Sequence, residues 1–240
     1  MTLIKNQVKK LSGHGSFIKP LLVLKTKSKK SRLVGKVFKR YKGTMNAKEG
    51  VRIRQMINTY QKCLTIANIP TIETRTVLIP VKNGNYRLCQ VQSFVTKENV
   101  LSNYLKNCTK SQAIDVIKQM AQVIKKLEEF NKTHKENIGM DLKPSNFALH
   151  EGKVTLLDLY PPLIKDGDSI KANDLLNHLR NKPLTKISLL AKTLTNQLID
   201  IGIKKHFETD FLKRKLLWRF VKARPELISE FKTAIQKEVI

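Results

Sequence analysis

The sequence predicts an α+β fold in two parts: a small antiparallel sheet with one helix over residues 1–95, then a mainly helical region over 96–240. Three observations carry this. Period-two apolar segments come in the order strand, strand, strand, helix, strand, strand. A strong turn signal, Asn83-Gly84-Asn85, joins the last two strands. Past residue 96 the apolar spacing shifts to three and four residues, the helical period.

Residues 6–41 read as three strands. The second covers 20–24 and the third 32–41, with a lysine-rich tip at 25–31. A helix over about 47–67 follows, because Ile53, Met56, Ile57, Tyr60, Leu64 and Ala67 fall on one helical face, and Ile69-Pro70 ends it. Residues 74–81 and 86–95 form the hairpin. A short helix at 98–106 precedes a long one at 111–133, where Ile114, Ile117, Ala121, Ile124 and Leu127 share a face. His134 closes that helix and reads as a packing residue. A second hairpin follows: Phe147 and Leu149 alternate on one arm, Val154 and Leu156 on the other, about His150-Glu151-Gly152-Lys153. Residues 165–173 are polar. Helices are expected at about 174–179, 183–201, 209–223 and 225–239, and Trp218, among Leu216, Leu217 and Phe220, reads as core. There is no internal repeat.

The most informative stretch is 139–162, GMDLKPSNFALHEGKVTLLDLYPP. It holds an Asp-Leu-Lys-Pro-Ser-Asn run at 141–146, then the hairpin, then Asp158 at the end of an apolar run. The hairpin carries Asn146 back towards Asp158, so both can reach one ion. This block resembles the catalytic loop and metal-binding segment of the protein-kinase-like superfamily. The resemblance spans roughly residues 10–180 and is specific in the 141–158 block. It implies a two-lobed protein-kinase-like fold, with an N-lobe over 1–95 and a C-lobe over 96–240. It further implies ATP- and Mg2+-dependent transfer of a phosphoryl group to a hydroxyl. Asp141 would orient the attacking hydroxyl, Lys143 would place positive charge near the transferring phosphate, and Asn146 and Asp158 would hold the metal.

The same resemblance marks a nucleotide site. Gly13 and Gly15 look like part of a glycine-rich loop that lets backbone amides approach phosphates. Val34-Gly35-Lys36-Val37-Phe38 looks like the strand whose lysine grips the α- and β-phosphates. Lys36 is the choice, and Lys39, one face over, is the rival. Glu49, one turn before Ile53, is the helix acid expected to pair with that lysine, since it is the only acid of its region. Phe94, within Gln92-Ser93-Phe94-Val95, falls at the expected adenine hinge, where backbone groups would bond the base. Two departures stand out. Gly139-Met140 replaces the usual His-Arg, and Leu159-Tyr160-Pro161-Pro162 replaces the usual Phe-Gly. With no Ala-Pro-Glu anchor either, the chain looks more like the small bacterial branches: serine/threonine-kinase-like, aminoglycoside-phosphotransferase-like, lipopolysaccharide-kinase-like or RIO-like. The acceptor stays open between protein, sugar or glycolipid, and small molecule.

Composition bounds the partners. The net charge is +27. Fourteen cations stand in the first fifty residues against Glu49 alone. Such a field draws polyanions: nucleic acid, acidic lipid, glycolipid or an acidic protein. It disfavours a cationic acceptor. Aromatics make up 6%, too few for a binding surface built on base stacking. The rival class is therefore a catalytically weak or inactive kinase-like module that docks on a polyanion through its basic N-terminal region. Three scattered cysteines, Cys63, Cys89 and Cys108, argue against a disulfide frame or zinc site and for a reducing, cytoplasmic setting. No signal-peptide pattern and no transmembrane segment are readable.

Overall fold

The computed structural model describes residues 8–11, 17–24, 33–41, 43–160, 162–166, 169–170 and 208–239. The chain is α+β and divides into two compact units. The first is Met1–Thr59 with Thr71–Val95, and the second is Tyr60–Pro70 with Thr96–Ile240. The division thus falls between Val95 and Thr96, but residues 60–70 go with the second unit.

The first unit is a five-stranded antiparallel sheet in the order β1-β2-β3-β5-β4. Its strands are β1 (Val8–Lys10), β2 (Phe17–Val23), β3 (Lys36–Tyr41), β4 (Thr74–Pro80) and β5 (Tyr86–Ser93). Two bounds differ from the sequence reading. β2 starts at Phe17 and runs through Pro20, because the register shifts between Ile18 and Leu21 and the bulge tolerates a residue with no N–H. β3 starts at Lys36, since Gly35 takes φ +75° in the turn before it. The hairpin between β4 and β5 turns on Asn83 and Gly84, both with left-handed φ.

Helix α1 (Ala47–Ile66) contributes its residues up to 59 to this unit. Asn46 and Glu49 open it as a capping box. The Glu49 N–H donates to Asn46 Oδ1 at 2.9 Å, and the Asn46 N–H donates to Glu49 Oε2 at 3.3 Å. Val23, Val37, Tyr41, Ile53, Met56, Ile57 and Leu88 are buried. The sheet and the helix meet closely: a Cβ on Gly50 would lie 3.0 Å from the Leu78 side chain.

The second unit is built on α3 (Lys110–Thr133), whose Ala113, Ile117, Met120, Ala121, Ile124 and Leu127 are buried. Thr109 and Gln112 form its capping box. Among the described residues, α2 (Leu101–Asn107), α4 (Thr209–Ala223) and α5 (Ile228–Val239) are its other α-helices. Phe220 of α4 meets Phe231 of α5 edge to face, with centroids 5.7 Å apart. The Arg224 Nη1 group donates to the Cys108 carbonyl at 2.9 Å and ties the α4–α5 corner to the end of α2. His134 stacks on Phe130 with centroids 4.1 Å apart, a packing role.

β7 (Phe147–His150) and β8 (Lys153–Leu156) form a hairpin with a two-residue turn, Glu151 and Gly152, both at positive φ. A separate three-stranded sheet has the order β10-β9-β6: β6 (Glu136–Ile138), β9 (Ile164–Asp166) and β10 (Ser169–Ile170). The polar stretch at 165–173 therefore carries strand residues. Strands of two or three residues are too short to show a period. Trp218 is not core: it is 55% exposed, while Leu212, Leu216 and Phe220 form the buried stripe of α4. Position 218 lies about half a turn from 216, on the other side of the helix. The helices expected at 174–179 and 183–201 lie outside the described residues. Among the described residues, no helix is long and apolar enough to cross a membrane.

Candidate functional site

The second unit gathers Lys143, Asn146 and Lys215 around one carboxylate, that of Asp141. β6 is fixed to α3 by Asn131, whose amide both accepts from the Ile138 N–H at 2.7 Å and donates to the Ile138 carbonyl at 2.9 Å. The next residue, Gly139, donates to the Leu163 carbonyl at 2.9 Å and accepts from the Tyr60 hydroxyl at 2.8 Å. From there the chain is extended. Met140 and Leu142 are buried, so the alternation turns Asp141 and Lys143 outward.

Asp141 then collects nitrogen donors. Lys143 Nζ lies 2.8 Å from Oδ2, and Lys215 Nζ of α4 lies 3.2 Å from Oδ1. Asn146 Nδ2 donates to the Asp141 carbonyl at 3.1 Å and to Oδ2 at 3.3 Å. Pro144 opens a tight turn that closes with the Asn146 N–H on the Lys143 carbonyl at 2.8 Å. Burial, opposed chiefly by the Asp141 charge, pushes the Lys215 ammonium below its ordinary pKa.

The hairpin returns the chain to this loop. The Leu157 N–H donates to the Asn146 carbonyl at 2.7 Å, and Asp158 is the next residue. Asp158 Oδ1 accepts from the Tyr160 N–H at 3.4 Å. Burial, with the Asp158 charge second, pushes the Tyr160 phenol up to about 12. Tyr60 is raised too, by burial and then by the charges of Asp158 and Asp141.

Asn146 and Asp158 suit a hard cation such as magnesium. The Asn146 amide nitrogen donates to Asp141, so a cation there would meet the amide oxygen, and Asp158 would offer a carboxylate. Magnesium binds through one or two such groups and completes its shell with water and phosphate oxygens. Among the described residues there is no cluster of three His, Cys, Asp or Glu side chains placed to hold a metal.

In the first unit the structure separates the two lysines. Lys36 pairs across the sheet with Ser93. Its ammonium forms an ion pair with Glu73 and donates to Ser93 Oγ at 2.8 Å. The Ser93 hydroxyl also donates to Glu73 Oε2 at 2.9 Å. The expected Lys36–Glu49 pair is therefore not formed: Lys36 bonds Glu73, and Glu49 caps α1. The physical reason is the strand period. Lys39 pairs with Gln90, which pairs with Thr76. Thr76 lies two residues from Leu78, the residue under Gly50 of α1, so Lys39 is on the face that α1 covers. Lys36, three positions away, is on the opposite face. Gln90, fully buried, gives Lys39 a polar neighbour. Phe94 follows β5 and is partly exposed. Gly13 and Gly15 lie outside the described residues.

Two site residues escaped the sequence reading. Lys215 stands 74 positions past Asp141 in a helix with many lysines, and no spacing marks it. Glu73 had a signal: it is the only acid between Glu49 and Glu98, the same kind of argument that singled out Glu49.

No curated protein matches the chain. A family model described as "Family of unknown function (DUF6206)" matches residues 4–199, a span that includes Lys36, Glu49, Glu73 and the whole 141–158 block. The chain belongs to the DUF6206 family.

Proposed function

We propose that this protein is an ATP- and magnesium-dependent phosphotransferase acting on a hydroxyl group, with a two-lobed kinase-like fold. The observation that carries the reading is the cluster of Lys143 and Asn146 on Asp141, with the Leu157–Asn146 backbone bond returning the chain to it one residue before Asp158. The strand-strand-strand-helix-strand-strand order of the first 95 residues supports it.

In this reading Asp141 meets the acceptor hydroxyl. The acceptor oxygen bonds to the γ-phosphorus. The bond from that phosphorus to the bridging oxygen breaks, its electron pair leaves with ADP, and the hydroxyl proton passes to Asp141 and on to solvent. Lys143 offsets charge on the transferring group. Asn146 and Asp158 would hold magnesium, which when bound neutralises phosphate charge. Lys39, rather than Lys36, takes the phosphate-binding role, because it shares a face with α1 and its acid Glu49. The acceptor class remains protein, sugar or glycolipid, or small molecule.

Calorimetry with ATP, with and without magnesium, on the wild type and Asp158→Ala tests the metal role: binding should need both the ion and the carboxylate. Transfer of labelled phosphate to cell extract, divided into protein, lipid and small-molecule fractions, tests activity and acceptor together, and Asp141→Ala should abolish it while sparing ATP binding. Equal binding in all four calorimetric cases would end the proposal.

The charge of +27 favours a second reading, a module docking on a polyanion. Its test is retention on heparin and on acidic liposomes across a salt series, since exposed charges are screened over about 10 Å at 0.1 M salt. Elution at low salt from both would dismiss it. Lys25, Lys27, Lys29 and Lys30, the expected tip of that surface, lie outside the described residues.

A further inference from the structure

We infer that Lys215 of α4 is a positioning residue for Asp141, gripping the carboxylate from the side opposite Lys143 and fixing the direction in which it meets an acceptor. This rests on the phosphotransferase reading of the same site. Each oxygen of Asp141 has its own ammonium group: Lys143 on Oδ2 and Lys215 on Oδ1. The two grips differ in kind. Lys143 and Asn146 lie within five residues of Asp141, so they hold the loop only to itself. Lys215 ties it to a separate helix, anchored by the buried side chains of Leu212, Leu216 and Phe220.

The two cations also differ in exposure. The Lys143 side chain is 49% exposed and that of Lys215 is 16%. A contact shielded from water is the less screened one and the better clamp. Burial, Lys143 and Arg219 all oppose the Lys215 charge, and Asp141 supports it. An ammonium so placed is tolerable only against its carboxylate, which makes the pair interdependent. Lys215 lies beyond residue 199, so this grip comes from a part of the chain that the family model does not reach.

The test uses the full chain as wild type, Lys215→Met, Lys215→Arg, Asp141→Ala and Asp141→Asn. Magnesium-ATP affinity is measured by calorimetry and turnover by transfer of labelled phosphate from ATP to cell extract. Lys215→Met should bind magnesium-ATP within about twofold of wild type and lose about tenfold or more in kcat at unchanged KM for ATP. Lys215→Arg, which keeps the cation, should recover most of that loss. A readout independent of turnover is the side-chain nitrogen resonance of Lys215. Asp141→Asn should lower its pKa further, because the carboxylate supports the charge. It also serves if Lys215→Met fails to fold. Wild-type turnover in Lys215→Met, alongside inactive Asp141→Ala, overturns the inference and leaves the phosphotransferase reading standing. An unchanged Lys215 resonance in Asp141→Asn overturns the grip itself. No magnesium-ATP binding and no turnover in the wild type removes the reading, and the positioning role with it.

Discussion

The hydroxyl of Tyr60 donates to the carbonyl of Gly139 at 2.8 Å, and Gly139 stands two residues before Asp141. Tyr60 belongs to the last turns of α1 and is buried. Gly139 also holds Leu163 through its N–H, so both of its backbone groups are bonded as the chain enters the Asp141 loop. Tyr60→Phe removes the donor and leaves a buried carbonyl unpaired. The expected loss is about 1–3 kcal/mol of stability, read by urea unfolding. The same phenol should resist ionisation. Burial and the charges of Asp158 and Asp141 hold it above the ordinary value of 10, so an absorbance titration should show a tyrosine still protonated after the exposed ones have ionised. A normal titration of all five tyrosines would contradict the burial argument.

Glu73 should titrate below its ordinary value of 4.5. The bond from Lys36 is the main cause and the bond from Ser93 the second. The sign follows from linkage: a depressed carboxylate contributes stability that is present above 4.5 and is lost as the pH falls through the folded-state value. Glu73 is exposed, so the effect is small and weakened by salt. Carbon-detected NMR titration should give a midpoint that rises towards the ordinary value in Lys36→Met. If the midpoint does not move, Lys36 is not its partner in solution.

The parts of this fold with a clear period or turn were legible in the sequence. Thr209–Ala223 and the Phe147–His150 and Lys153–Leu156 hairpin show their apolar spacing, and Asn83-Gly84 and Glu151-Gly152 show their turns. Short strands such as β6 and β10 were not, because pairing rather than pattern makes them. Trp218 was misread because its sequence neighbours Leu217 and Phe220 are apolar, while exposure depends on the angle around α4. The junction of Asn146 with Leu157 follows from hairpin geometry. The contact of Asp141 with Lys215 does not, because it is a long-range packing event between a loop and one of many lysines.

Gly152 should be costly to replace. It sits at φ +74°, and a Cβ there would meet nothing within 4 Å, so backbone strain alone is at issue. Gly152→Ala should cost about 1 kcal/mol, and Gly152→Asn less, since asparagine tolerates the left-handed region. The turn closes the hairpin whose open end carries the Leu157–Asn146 bond. Amide exchange at Leu157 should therefore speed up in Gly152→Ala. Unchanged stability and exchange would mean that the turn does not set the register.

The two lysines of β3 give the sharpest division. Lys36 and Lys39 differ by three positions in a strand, so they point to opposite faces. Lys36 bonds Glu73 and Ser93, and Lys39 lies in the row Lys39–Gln90–Thr76 on the side covered by α1. A phosphate-binding lysine needs a helix acid to aim it, and only the α1 face offers Glu49. Lys39→Met should therefore weaken magnesium-ATP binding about tenfold or more, while Lys36→Met stays within about threefold of wild type. Glu49→Gln should also weaken binding, and the double variant Lys39→Met with Glu49→Gln should lose less than the sum of the two. Glu49 also caps α1, so its variant is compared at matched helix content by circular dichroism. If Lys36→Met does the damage and Lys39→Met does not, the nucleotide uses the other face of the sheet and the register argument is wrong for function. Additive losses would separate Lys39 from Glu49.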